Sequence, residues 1–110
     1  MNPFMFVVKS VPLPRNKNYR SVRQALVHIW VFDNSIDDAQ KRALDYIKSL
    51  DWNPLSVEHA LSISSEQIPH LHKDEAVLYR KASLHGIAAD FLASPIREKS
   101  PDSPVEYGEP

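Results

Sequence analysis

Cysteine is absent from this chain of 110 residues. Its absence removes disulfides, thiol nucleophiles, iron–sulfur clusters and every zinc site built on thiolate. Glycine is nearly absent as well, with only Gly86 and Gly108 present. Phosphate-binding loops, dinucleotide fingerprints, calcium-binding helix–loop–helix motifs and nucleophile elbows all need glycine where the backbone turns with positive φ or approaches a ligand closely. None of these motifs occurs, and turns fall to Pro, Asn and Asp. An excess of positive charge is also missing. The net charge is −1, whereas nucleic-acid binding draws most of its affinity from a basic surface, so no nucleic-acid partner is expected. The apolar runs are too short to cross a bilayer, and the N-terminus carries no basic, signal-like region. No membrane partner and no cofactor are expected, and the expected location is cytoplasmic.

The chain is 43% hydrophobic and 25% charged, which is ordinary for a globular protein, and its length suits a single domain. Phe4 to Val11 is rich in β-branched and aromatic residues and reads as a first strand. Pro12 and Pro14 end it. The loop that follows gathers Arg15, Lys17, Arg20 and Arg23, the one local basic cluster; it reads as a solvated hairpin loop, with contact to an anion or an acidic partner as the alternative. Val22 to Phe32 is a second strand.

From Ser35 to Leu50 the pattern is helical. Ser35 is a good N-cap with Asp38 three residues later. Ile36, Ala39, Gln40, Ala43, Ile47 and Leu50 form an apolar-facing stripe. On the opposite side, Asp37 with Lys41, Asp38 with Arg42 and Lys41 with Asp45 fall at the spacing of helix-supporting ion pairs. Pro54 ends this element, and Trp52 is expected at the end of the core.

Leu55 to Ile63 alternates, with Leu55, Val57, His59, Leu61 and Ile63 on one side, and reads as a third strand with one core face. Lys73 to Ala93 has helical composition. Gly86 then falls in mid-helix, where it costs roughly 1 kcal/mol relative to Ala; Ala82, Gly86 and Ala89 suggest close approach to a neighbouring element, with Tyr79 beside them. From Ser94 onward the chain is proline-rich and short of apolar groups, so it lacks the surface to offset its ordering entropy.

These elements give a single α+β domain over 1–93 and a flexible C-terminal tail over 94–110. The order is β-β-α-β-α. The expected architecture is a two-layer sandwich of ferredoxin-like type with two helices on one face of a small sheet; this is an architectural analogy and implies no function.

The second strand raises the main functional question. Ala25, Val27, Ile29 and Val31 are compact and suit the helix-covered face. Leu26, His28, Trp30 and Phe32 then lie on a face that two helices packed on one side leave open. Large apolar patches are seldom left exposed on soluble monomers. The expected use of this face is homodimerisation, with a groove for a small ligand or a protein partner as the alternative. His28 and Glu58 would meet there if their strands are neighbours, giving a base with its orienting carboxylate, though no nucleophile is evident.

The other histidines admit a metal reading. His70 and His72 point the same way in an extended segment, and His85 would complete a three-nitrogen site with an open position; no carboxylate at fixed spacing locks the pattern. His59 suits a hydrogen-bonded place in the core or an interface. No residue compels a reaction. The chain therefore reads as a small binding or assembly module, homodimeric through its open sheet face, with a histidine-based enzyme or metal-dependent protein as the alternative.

Overall fold

The structure is a computed structural model that describes residues 1–96. It contains β1 (Asn2–Pro12), β2 (Val22–Asp33), α1 (Ile36–Ser49), β3 (Trp52–Ser62), a single 3-10 turn (Ile68–His70), α2 (Lys73–His85) and β4 (Ile87–Pro95). The four strands form one sheet in the order β3-β1-β2-β4, and every neighbouring pair is antiparallel.

β1 and β2 pair as expected, and α1 begins where the sequence indicates. The Asp38 N–H donates to Ser35 Oγ at 3.1 Å, closing the N-cap. Ala39, Ala43 and Ile47 face the sheet and are fully buried. The expected Asp38–Arg42 pair does not form: Arg42 turns back to the end of β2, donating to the Phe32 carbonyl at 2.8 Å and to Asp33 Oδ2 at 3.2 Å.

The expectation of one helix from Lys73 to Ala93 is overturned. The helix stops at His85 because Gly86 adopts φ +87°, a left-handed C-cap whose N–H donates to the Ala82 carbonyl. A residue without a Cβ takes that conformation without steric cost. The chain then reverses into β4, which pairs with β2 from Ile87 opposite Val31 to Pro95 opposite Val22. Ser94 and Pro95, expected in the tail, therefore belong to the sheet; residues 97–110 of that tail lie outside the described residues.

The fourth strand changes the architecture. The sandwich has three layers, not two, and its topology is not ferredoxin-like: the helices pack on opposite faces. α1 covers the face formed by Phe4, Phe6, Val8, Ala25, Val27, Ile29 and Val31. α2 covers the other, where Leu78 and Ala82 pack on Trp30, Ala88 and Ile63. β3 and the residue that follows it contribute to both cores, because Val7 pairs with His59 while Val8 pairs with Val57, leaving Glu58 as an extra residue. Such a bulge breaks the simple alternation; Val57 packs on the α1 side and Ile63 on the α2 side. Ser10 is buried on the α1 side, and its hydroxyl has no partner among the described residues; nothing in the structure explains it.

Strands of 11 and 12 residues are about 36–40 Å long at about 3.3 Å per residue. Each helix, of 14 or 13 residues, reaches only about 20 Å at 1.5 Å per residue. Neither helix can roof the whole length of its face. On the α1 side two rings from the edge strands extend the cover: Trp52 and Phe91 meet with centroids 5.2 Å apart. They lie on β3 and β4, with two strands between, so the sheet curls to bring them together. Among the described residues no pair of edge-strand rings closes the α2 side in this way.

Candidate functional site

Strand register orders the α2 side into rows. Leu61, Met5, Trp30 and Ala88 form a row across β3, β1, β2 and β4; His59, Val7, His28 and Asp90 form the next; Ser56, Lys9, Leu26 and Leu92 form the third. α2 sits on the first of these. The other two rows are the uncovered strip.

The first row answers the question raised by the second strand. Trp30 is only 1% exposed. Its ring meets Tyr79 of α2 edge-on at 5.5 Å, and Phe32 meets the same tyrosine at 5.6 Å. Trp30 is therefore a core residue of a second hydrophobic cluster and the partly buried Phe32 packs against it, contrary to the expectation that they form an open face. The compact α1-side residues and the aromatic α2-side residues of β2 serve two cores.

At the boundary between core and strip, α2 sends Glu75 down to the sheet. The Trp30 indole Nε1 donates to Glu75 Oε1 at 2.6 Å, and His28 Nδ1 lies 3.1 Å from Glu75 Oε2. An ionised carboxylate only accepts, so in a contact with ionised Glu75 the donor is Nδ1, which leaves Nε2 as the acceptor of a neutral ring. The arrangement is an imidazole held in one tautomer by a carboxylate that is itself fixed by an indole. Chemically it can accept a proton or a hydrogen bond at a defined atom. The expected orienting group was the wrong one. Glu58 cannot reach His28, because β1 separates their strands. It sits at the β3 bulge, bonded to the Ser56 hydroxyl.

His28, Glu75 and Asp90 border a cleft of about 270 Å³, completed by His72, Asp74, Leu78 and Leu92. That volume falls below the roughly 300–1,000 Å³ typical of small-molecule sites. Among the described residues no hydroxyl or thiol lines it.

The three histidines of the metal reading do not converge. His70 ends the 3-10 turn, His72 is the N-cap of α2 and His85 is its last residue. His72 and His85 therefore stand about 20 Å apart along the helix. The His72 ring instead accepts from the Asp74 N–H at 3.3 Å. Among the described residues no group of three or more His, Asp or Glu side chains is placed to hold a metal.

On the strip itself, Leu26 and Leu92 are cross-strand partners, 38% and 51% exposed. His59, expected in the core or at an interface, is exposed at the strip's β3 edge. Asp90 and Leu92 were hidden from sequence reasoning by the helical reading of residues 86–93; a glycine after a complete helix was the available signal. Glu75 was legible only as a first-turn helix residue. No helix among the described residues is long and apolar enough to cross a membrane. No family model, no curated protein and no solved structure matches this chain.

Proposed function

We propose that this chain is a binding and assembly module that pairs with a second copy of itself across the strip of sheet that α2 leaves uncovered. The Leu26–Leu92 pair carries this reading. Both leucines are substantially exposed on a face that α2 covers two rows further on. Sealing a leucine fully from water is worth roughly 1.5–3 kcal/mol, and two such side chains on each copy supply a driving force for association. Polar groups rim the apolar centre, as at protein–protein contacts generally.

The charges suit self-pairing. Lys9 lies on β1 in one row and Asp90 on β4 in the next, diagonally across the strip. A two-fold interface sets one patch against itself, so these opposite charges can face each other across it. The cleft beside His28 is small for an organic ligand, which favours contact with a surface over capture of a molecule. The metal-dependent alternative loses its geometric basis with the separation of His72 and His85.

The test is sedimentation of Leu92→Asp beside Leu84→Asp. Leu84 is 75% exposed on α2 and lies outside the strip. Leu92→Asp is expected to give a monomer with unchanged far-ultraviolet circular dichroism, and Leu84→Asp to retain the dimer. A Leu92→Asp variant that still dimerises overturns the reading.

A further inference from the structure

The basic cluster singled out in the sequence has a structural role unrelated to the strip. Residues 13–21, between β1 and β2, are tied down by specific bonds. The Leu13 N–H and Asn16 Nδ2 both donate to the Asp51 carbonyl, at 3.0 and 3.1 Å. The Asn18 N–H donates to Asn16 Oδ1 at 2.8 Å, and the Tyr19 and Val22 N–H groups donate to the carbonyls of Asn16 and Asn18, each at 2.9 Å. The Ile96 N–H closes the other side on the Ser21 carbonyl at 3.0 Å. Arg15 is spent on this scaffold, its Nε 2.5 Å from Asp51 Oδ1.

This scaffold shapes an open groove of about 660 Å³. Val11, Pro12, Pro14, Val22, Ile96 and the ring of Tyr19 make its walls, and Arg20 and Arg23 supply the charged groups. Among the described residues no carboxylate lines it. Among the described residues neither Arg20 nor Arg23 forms an ion pair, whereas Arg15 and Arg42 each do. The volume lies within the range of small-molecule sites. Proline and aromatic walls give apolar contact at little entropy cost, and guanidinium groups match the geometry of carboxylates and related oxyanions.

We infer that this groove binds a small amphiphilic anion, with a carboxylate head on Arg20 and Arg23 and an aliphatic body along the proline–tyrosine wall. The occupant is defined by that pairing of chemistries: an uncharged body lacks the head contact, and a bare anion lacks the wall. The inference is independent of self-association, since it uses different residues.

Calorimetric titration of the full chain with octanoate and decanoate, below their micellar concentrations, tests it, with 1-octanol as the uncharged comparison. Saturable one-site binding is expected. Affinity should fall about two- to fourfold for each methylene removed from the chain. Arg20→Gln/Arg23→Gln should weaken decanoate at least tenfold, as loss of charged hydrogen-bond donors does, and 1-octanol should bind at least tenfold more weakly than octanoate. Leu92→Asp should bind decanoate as the wild type does. Absence of saturable binding, equal affinity in the double arginine variant, or loss of binding in Leu92→Asp each overturns the inference; the last would place the amphiphile on the open strip.

Discussion

Trp30 fills the second core and at the same time fixes Glu75, which in turn fixes His28. Truncation therefore removes a large buried ring and one donor to a half-buried carboxylate. Trp30→Ala is expected to lose roughly 3–5 kcal/mol of stability, read as a lower urea midpoint, and to leave largely unfolded protein instead of folded monomers. A variant that stays fully stable but merely dissociates would mean that the ring faces a partner and not α2. Asp33 supplies a pH-dependent contribution. The N–H of Asn34 and then Arg42 hold its carboxyl below the usual range, against an opposing desolvation effect. A lowered folded value means that this contribution is present above the ordinary carboxylate pKa and fades as pH falls through the lowered one. Melting temperatures of wild type and Asp33→Asn should differ most near neutrality and converge below about pH 4; a constant difference across that range would contradict the assignment.

At the scale of elements, α2 and β4 hinge on Gly86. A side chain there meets both the positive φ and the end of Arg42, whose Nη2 would lie 3.3 Å from an added Cβ. The guanidinium can shift, so the backbone sets the cost: Gly86→Ala should destabilise by about 1–2 kcal/mol, read from thermal melts. No loss would mean that the turn does not need the left-handed region.

The same glycine marks where sequence reasoning stopped. β1, β2 and α1 were legible because their periodicities are strong and Ser35 caps the helix. Residues 87–93 were not, because Ala88, Ala89 and Leu92 fit a helix as readily as a strand, and pairing with β2 decides between them. The bulge at Glu58 was equally invisible: it arises from register against β1, which no local pattern carries. The site suffered from the same gap. A histidine oriented by a glutamate was foreseeable from His28, but choosing Glu75 over Glu58 requires knowing that β1 lies between β2 and β3 and that α2 lies above Trp30.

At the scale of the whole molecule, a long sheet carries one short helix on each face. The α1 side is extended by Trp52 and Phe91, and the α2 side ends in Leu26 and Leu92. That asymmetry is the physical basis of the assembly proposal: a pair of rings extends the cover on the α1 side, whereas beside α2 the cross-strand pair Leu26 and Leu92 stands in water. Its most direct test is the molar mass of the wild-type chain, by light scattering behind size exclusion over a wide dilution series. The account predicts twice the chain mass at high concentration, falling towards the single-chain mass on dilution. A single-chain mass at every concentration would contradict it.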